Sequence, residues 1–577
     1  MHGGELIAEV LEKQGTRHVF TLCGGHISPI LVAAKQRGIR IVDVRDEASA
    51  AFAADAVARL TGIPGVAAVT AGPGLTNTLT AVKNAQMAQS PLVLLGGATG
   101  TILKGRGSLQ DIDQLSLMES SVKWQGTASK VRDLVPAVEQ AYDEARLGVP
   151  GPAFVECPVD LLYQEPLVRD MYGAGADAKP PKGLGQKALQ WYLNRHVEGL
   201  FKRAESRRAR EPERHPVPEA AAREVRQVAA ALRKAERPVI LVGSQSTLRV
   251  PRIDRIAEAV AELGVPVYLS GMARGLLGPD PAVQMRHNRR HALKEADLVL
   301  LMGVPCDFRL DYGRHISAKA KVVSVNLSDH DLTKNRRPKI GLLADPGLFL
   351  IALAAELGGA AGVDPWLQRL RDRDRQREDD IDRRAAQETE HVNPIQLFRE
   401  LDRALDDDSV LVADGGDFVA TASYTLRPRG PLRWLDPGVF GTLGVGGGFA
   451  VGAKCVRPES EVWLLWGDGS AAYSLAEFDT FARHGLPVIA VVGNDAGWTQ
   501  IAREQVEILG DDCATVLART PYHEVAKGYG GEGLELKRPE DIADVFAEAK
   551  AIARSGKPVL INAWIGKTDF RKGSISM

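Results

Sequence analysis

Cysteine is scarce in this sequence, with five residues among 577. No two of them have the spacing of a metal knuckle or of a redox pair. The scarcity excludes a disulfide-stapled scaffold, and an odd, sparse count suits a reducing compartment. The five are Cys23, Cys157, Cys306, Cys455 and Cys513.

The sequence also lacks a long apolar run and an excess of charge of either sign. No run reaches the roughly 18–20 apolar residues that span a bilayer, and residues 1–6 enter a helical pattern without a basic or apolar leader. The net charge of −1 gives no reason to expect nucleic acid or an anionic membrane as partner. We therefore expect a cytoplasmic protein, although local basic patches could bind a small phosphorylated ligand.

What is present is a repeated alternation of strand and helix patterns, which predicts parallel sheets with helices on both faces. The length is too great for one hydrophobic core, and two charged stretches interrupt the alternation. The fold class is therefore α/β, with three doubly wound parallel-sheet domains. We place them at 1–165, 217–356 and 391–577, joined by linkers at 166–216 and 357–390.

The strongest chemical signal is a pair of acids at two strand ends. Gly467-Asp468-Gly469 follows one apolar strand, and Asp495 ends the next, 27 positions after Asp468. Ligands of parallel sheets bind beyond the carboxyl ends of the strands, and two hard oxygen ligands there suit Mg²⁺. Glycines let a phosphate approach the backbone, and Ser470 can donate to it.

This pattern resembles the signature of the thiamine-diphosphate enzyme superfamily, in which Gly-Asp-Gly is followed about 25–30 residues later by Asn-Asn. The resemblance implies pyrimidine-binding, middle and pyrophosphate-binding domains in that order. It makes Asp468, Asp495 and the Gly497 carbonyl ligands of Mg²⁺, although Asn494-Asp495 replaces the Asn pair. The residues expected to contact thiamine diphosphate here are Gly467, Gly469, Ser470, Asn494 and Trp498.

The first domain carries the second part of the resemblance. Glu47 stands where a strand ends and a helix begins, a position that the helix dipole alone favours for an acid. Residues 70–77, however, resemble the turn that accompanies the superfamily's catalytic Glu, so Glu47 is implied to bind the aminopyrimidine ring and promote deprotonation of the cofactor. The further cofactor contacts implied are Gly72, Asn77, Asp417, Phe418 and the bulky clamp residue Leu443.

Two branches of the superfamily compete for the reaction. Acetolactate synthases share the Gly24-Gly25 turn, but Glu504 occupies the place of their pocket Trp. Gly24-Gly25-His26 and Leu109-Gln110 instead resemble benzaldehyde lyase and the 2-hydroxyacyl-CoA lyases. We therefore predict a 2-hydroxyacyl-CoA lyase releasing formyl-CoA, with catalytic residues Glu47, His26, Gln110 and Glu504.

The alternatives are an acetolactate-synthase-like condensation, an acyloin lyase, or a cofactor-holding protein without turnover. An acyl-CoA substrate requires cations for its phosphates, and we expect a homodimer or a dimer of dimers, as the superfamily implies. The pattern leaves open the acyl chain length and whether FAD or ADP is bound. Candidate phosphate contacts are Arg274, Arg286, Arg336, Arg337 and Arg571.

Overall fold

The structure is a computed structural model that describes residues 2–175, 183–213 and 215–572. The described chain forms two compact units. One contains residues up to 58 together with 63–215, and the other contains residues 59–62 and the chain from 216 onward. The first unit holds one sheet and the second holds two.

The sheet of the first unit has six strands in the order β2-β1-β3-β4-β6-β5, all parallel. They are β1 (His18–Leu22), β2 (Arg40–Asp43), β3 (Gly65–Val69), β4 (Leu92–Ala98), β5 (Trp124–Thr127) and β6 (Pro152–Pro158). The helices of this part of the chain are α1 (Gly3–Lys13), α2 (Ser28–Gln36), α3 (Glu47–Thr61), α4 (Pro73–Thr76), α5 (Leu79–Met87), α6 (Gln114–Met118), α7 (Leu134–Arg146), α8 (Val159–Leu162), α9 (Glu165–Met171) and α10 (Leu184–Phe201).

The central strands of this sheet are covered on both faces. Every residue of β3, β4 and β6 is buried, as parallel strands between two helical layers must be. Leu6 and Val10 of α1 join the core that lies on one face. Because both faces are covered, a ligand of this sheet would bind beyond the carboxyl ends of its strands.

The second unit begins with a five-stranded parallel sheet of order β11-β10-β9-β7-β8. Its strands are β7 (Pro238–Val242), β8 (Val267–Leu269), β9 (Leu298–Met302), β10 (Lys321–Asn326) and β11 (Ile340–Leu343). Its helices are α11 (Ala222–Arg233), α12 (Ile253–Glu262), α13 (Arg289–Glu295), α14 (Asp329–Thr333) and α15 (Pro346–Leu357), followed by α16 (Asp364–Ala385).

A six-stranded parallel sheet of order β13-β12-β14-β15-β17-β16 completes the second unit. Its strands are β12 (Val410–Asp414), β13 (Trp434–Leu435), β14 (Val462–Gly467), β15 (Val488–Asn494), β16 (Glu532–Leu536) and β17 (Val559–Trp564). The helices are α17 (Pro394–Ala404), α18 (Asp417–Thr425), α19 (Val445–Val456), α20 (Asp468–Ser474), α21 (Glu477–His484), α22 (Thr499–Leu509), α23 (Tyr522–Gly528) and α24 (Ile542–Arg554).

The predicted fold class is confirmed: three parallel α/β sheets follow one another along the chain. Most of the segment predicted as the second linker, however, is the long helix α16. Its Trp366 and Leu370 are buried in the core of the middle sheet, and Glu378 farther along the helix contacts His287 and Arg399 of neighbouring segments. Across the described ranges, none of the helices is long and apolar enough to cross a bilayer.

Candidate functional site

Glu47 is buried at the first position of α3. Its Oε2 accepts a hydrogen bond of 3.0 Å from Nδ2 of Asn77. A Cβ on Gly74 would lie 3.5 Å from the other carboxylate oxygen. The residues that the motif predicted around this Glu therefore do surround it, and one of them orients its carboxylate.

His26 lies close to the turn that follows β3. Its Nδ1 is 3.2 Å from Oγ1 of Thr70. A Cβ on Gly97 would lie 2.5 Å from the Cβ of His26, so His26 packs directly against that glycine. Partial burial lowers the pKa of His26 below its ordinary value. This shift favours the neutral imidazole, the form that can accept a proton.

Gln110 packs against Gly72 in the same cluster. Both residues have positive φ, 62° each, and a Cβ on Gly72 would lie 2.9 Å from the Gln110 carbonyl oxygen. Glycine is required at 72 because a side chain there would be strained and would displace Gln110. The contact fixes Gln110 beside the turn that carries Thr70.

A buried residue that the sequence did not single out, Gln114, holds this cluster together. Its Oε1 accepts from the backbone N of Gly72 at 3.0 Å, and its Nε2 donates to the carbonyl of Gly97 and to Glu156. Lys104 pairs with that same Glu156 at 2.6 Å. The only signal in the sequence was its position four residues after Gln110, which did not distinguish it from an ordinary helix residue.

A second candidate site lies at the carboxyl ends of β12, β14 and β15, which are neighbours in the third sheet. Asp468 is buried at the start of α20, and its two oxygens accept from the backbone N of Gly469 at 2.8 Å and of Gly497 at 3.1 Å. Burial, and then the nearby Asp495, raise the pKa of Asp468 to about 7. Two desolvated carboxylates so close together need a cation.

Asp495 and its neighbours form the rest of this acidic pair. Burial raises the pKa of Asp495, although a hydrogen bond from Thr499 opposes the shift. Asn494 is fully buried, and its Nδ2 donates to the carbonyl of Thr520 and to Asn562, both at 3.1 Å. The Asn494 amide nitrogen is thus engaged within the sheet, whereas Asp495 comes after the strand end.

Glycines bring the loops around the acids into close contact. A Cβ on Gly415 would lie 3.0 Å from the backbone N of Gly467. On Gly469 it would overlap the ring of Trp498 at 2.5 Å. A side chain at either position would therefore separate the two loops or displace the indole.

Asp414, at the end of β12, organises this loop cluster. Its carboxylate is fully buried and accepts from the backbone N of Gly444 at 3.1 Å, from that of Gly446 at 2.8 Å and from Nε1 of Trp466 at 3.2 Å. Burial raises its pKa to about 7 despite those donors. The sequence did not single out Asp414, because nothing in the pattern linked it to residues 441–446.

Other predicted cofactor residues take more varied positions. Ser470 donates to the carbonyl of Asp414 at 2.6 Å, and half-buried Leu443 lies in the segment that Asp414 holds. The ring of Phe418 packs against Gly493, where a Cβ would lie 2.4 Å from it. Phe418 therefore contributes to the packing between α18 and β15. Asp417 forms an ion pair with Arg503 of α22.

The α22 helix also carries Glu504, which is half-buried. On the preceding turn, the side chain of Gln500 packs against Gly416. A Cβ on Gly416 would lie 2.7 Å from Oε1 of Gln500. This turn of α22 therefore borders the loop after β12. The predicted catalytic Glu504 stands one turn farther along the same helix.

A basic cavity of about 430 Å³ lies within the second unit. It is lined by residues of the middle domain and by residues between 423 and 434 of the third domain. Its wall includes Arg274, Arg286, Arg289, Arg290, His291 and His315. Burial and the neighbouring Arg274 and Arg309 lower the pKa of Arg289. Because the guanidinium groups crowd one another, an anion with several charges would stabilise the cavity.

The basic side chains of this wall differ in how many hydrogen bonds and ion pairs they make within the protein. Arg286 donates to the carbonyls of Tyr424 at 3.0 Å and Leu426 at 2.7 Å and lies 3.5 Å from Glu378. Arg274 donates to the carbonyl of Ser423 at 3.3 Å. By contrast, Arg290 and His291 are exposed at the cavity.

The remaining predicted phosphate contacts lie outside that wall. Arg336 donates to three carbonyls, those of Gly313, Ile316 and Ser317, and Arg337 is exposed elsewhere. The guanidinium of Arg571 stacks over the ring of Tyr424, a wall residue, with 5.0 Å to the centroid. The structure thus brings Arg274 and Arg286 together, sets Arg571 against one wall residue, and leaves Arg336 and Arg337 apart.

Comparison with known proteins gives three family matches in the expected order. The N-terminal TPP binding domain of thiamine pyrophosphate enzymes matches residues 1–117, the central domain 225–353, and the C-terminal TPP binding domain 414–563.

Curated relatives match over essentially the whole chain. The 2-hydroxyacyl-CoA lyase 2 of Danio rerio is 52% identical over all of this chain and 93% of its own length. That of Homo sapiens is 50% identical, covering 92% of its length. An acetolactate synthase large subunit of Mycobacterium tuberculosis is 33% identical over 97% of this chain and 95% of its own.

Proposed function

The chain belongs to the thiamine pyrophosphate enzymes, as its motifs predicted, and we propose that it is a 2-hydroxyacyl-CoA lyase. It cleaves the bond between C1 and C2 of the acyl group, giving an aldehyde or ketone and formyl-CoA. The observation that carries this proposal is the identity of about half of all residues to lyases of that name, against one third to the synthase.

The acidic pair fits a divalent metal, and the glycine-rich loops beside it fit a diphosphate. Asp468, Asp495 and the carbonyl of Gly497 would hold Mg²⁺, whose charge would offset the two desolvated carboxylates. Bound thiamine diphosphate would supply a nucleophilic carbon that attacks the acyl carbonyl and accepts electrons as the C–C bond breaks. Glu47, oriented by Asn77, would bind the pyrimidine ring.

The residues around His26 would handle the substrate. The 2-hydroxyl must lose a proton as the bond to C1 breaks, and a proton must be returned to C1 to form the formyl group. Neutral His26 is suited to accept the first. Gln110 would donate to the thioester oxygen as it gains charge, and Glu504 would border the pocket from α22.

The basic cavity would bind the nucleotide of coenzyme A. Its volume of about 430 Å³ is that of a small-ligand site, and its crowded guanidinium groups suit several phosphate charges. Within it, Arg274 and Arg289 line the wall and Arg290 stands exposed, so these three would meet the phosphates. Arg286 would act chiefly by shaping the wall, since its donors are used by Tyr424 and Leu426.

The assembly is expected to be a homodimer or a homotetramer built as a dimer of dimers. In the superfamily the cofactor bridges the first domain of one subunit and the third domain of another, and closed symmetry then pairs the sites. All five cysteines are free thiols in the structure, which supports the cytoplasm as the compartment. Sedimentation at assay concentration would test the assembly, because an active monomer contradicts it.

A substrate panel with purified protein tests the reaction. Short and long 2-hydroxyacyl-CoA esters should each yield a carbonyl compound and formyl-CoA, and the reverse condensation should be measurable. The panel should include the matching free 2-hydroxy acids, which lack the nucleotide. Equal turnover of the free acids would contradict the role given to the cavity.

The second candidate is acetolactate synthesis, favoured by the full-length relative at 33% identity. Pyruvate alone would then give acetolactate and CO₂. Glu504 distinguishes the candidates, because a carboxylate is unfavourable in a pocket for two small ketoacids. Glu504→Ala should depress cleavage of the CoA ester while cofactor binding stays intact.

A further inference from the structure

Helix α10 of the first unit exposes an apolar surface at its N-terminal half. The exposed fractions are 87% for Leu184, 58% for Leu189, 63% for Trp191 and 50% for Tyr192. Leu184 and Trp191 lie seven residues apart, which places them on one face of the helix. Single exposed apolar residues are ordinary, but four on two helical turns, two of them aromatic, form a patch that water does not favour.

The C-terminal half of the same helix holds it on the domain. Val197 and Leu200 are buried, and His196 lies 3.1 Å from the hydroxyl of Thr101. Asn194 accepts a hydrogen bond of 3.2 Å from Arg169 of α9. The apolar face is consequently presented from a fixed position.

The segment that contains this patch is strongly basic. Residues 184–210 contain seven Lys or Arg and two Glu, a net charge of +5 in a chain whose net charge is −1. Arg208 and Arg210 pair with Glu9 and Glu139 of the domain. The other five cations are exposed: Lys187, Arg195, Lys202, Arg203 and Arg207.

We infer that this surface, Leu184–Tyr192 with the exposed cations Lys187 and Arg195 of the same helix, docks on an anionic lipid bilayer. Trp and Tyr favour the headgroup level of a membrane, where an apolar ring and a polar group are both satisfied. Exposed cations next to such a helix add attraction to anionic lipids. The docking is interfacial, because the described helices include none that could cross the bilayer.

A second copy of the chain is the less favourable occupant. If the patch lay on a two-fold axis and faced itself, Lys187 and Arg195 would oppose the same cations of the other copy, which costs free energy at an interface. The whole-chain net charge of −1 gave no hint of this surface, because the basic segment is balanced by acids elsewhere.

The experiment is sedimentation of the full-length protein with vesicles. Vesicles of phosphatidylcholine with about 30% phosphatidylglycerol should bind the protein, and pure phosphatidylcholine should bind it at least about tenfold less. Trp191→Glu should lower binding about tenfold, since it places a charge in the apolar part of the contact. Val32→Glu is the matched control, because Val32 is an exposed apolar residue on α2 of the same unit, and it should bind like the wild type.

Three results would overturn the inference. They are no binding to the anionic vesicles, equal loss in Trp191→Glu and Val32→Glu, and binding that is insensitive to Lys187→Glu combined with Arg195→Glu. Sedimentation velocity without lipid tests whether a second copy of the chain covers the patch instead. A change of oligomeric state in Trp191→Glu would assign the patch to that second copy. Vesicle binding is measured without the proposed reaction, so its outcome does not depend on that reaction. Cleavage of a short, soluble CoA ester should be unchanged in all these variants.

Discussion

The two candidate sites, one in each unit, surround a buried carboxylate with opposite kinds of partner. Glu47 is buried beside an amide donor, Asn77, which satisfies one of its oxygens. Asp468 is buried near a second acid, Asp495, and burial with that neighbour raises its pKa to about 7. The first arrangement suits a hydrogen bond to a neutral ring, and the second suits a metal cation.

The comparison predicts its largest effect for Glu47→Gln. Turnover should fall by about 10²–10⁴-fold, because the variant keeps the shape but loses the proton-accepting carboxylate. Metal-dependent binding of thiamine diphosphate should remain nearly unchanged. Hydrogen exchange at C2 of the bound cofactor measures the effect directly, and exchange at the wild-type rate would remove Glu47 from this role.

Asp468→Ala should have the converse effect. Without one of the paired acids, Mg²⁺ and thiamine diphosphate should no longer raise the melting temperature as a ligand bound to the native state does. Asp495→Ala should behave alike, and Glu47→Gln serves as the control that keeps the shift. A wild-type thermal shift in either Ala variant would exclude that residue from the metal site.

A smaller effect is expected in the basic cavity, away from both carboxylates. Arg289→Ala should raise the KM for the CoA ester about tenfold with little change in kcat, because a phosphate contact there serves binding rather than chemistry. Arg337→Ala is the matched control, since Arg337 is exposed outside the cavity. Equal effects in the two variants would place the nucleotide elsewhere.

The last effect concerns pH and tests the acidic pair without mutation. Since the raised pKa of Asp468 is about 7, Mg²⁺ must displace a proton below pH 7, and its apparent affinity should fall by up to about tenfold per pH unit. The metal-free protein should in turn lose stability as pH rises from about 4 through 7, where the folded acid is forced to ionise. Calorimetric titration between pH 5.5 and about 8 checks the first, and a flat affinity profile would contradict it.

The residues at strand ends were the predictable part of this molecule. Periodicity was enough for the three parallel sheets, and the spacing of Asp468 and Asp495 placed both acids beyond neighbouring strands. Such features depend on local sequence and on the rule that parallel strands share a carboxyl edge.

Contacts between distant segments were not predictable from the pattern. Gln114 meets Gly72 across 42 positions, and Asp414 meets Gly446 across 32, so no local periodicity could reveal either. The charged run inside α16 indicated a solvated linker, yet Glu378 there accepts from His287 at 2.8 Å and pairs with Arg399 at 2.7 Å. The hydrogen bond from His287 and the neighbouring Arg286 and Arg399 lower the pKa of Glu378 well below its ordinary value, although burial opposes the shift.

The most direct measurement of the central claim follows the label in a 2-hydroxyacyl-CoA that carries ¹³C at C1. If the chain is the proposed lyase, the label should appear in formyl-CoA, while an unlabelled aldehyde or ketone is released in equal amount. His26→Ala should slow this appearance and leave thiamine diphosphate bound. Rapid formation of acetolactate from pyruvate, with no label released from any CoA ester, would contradict the account.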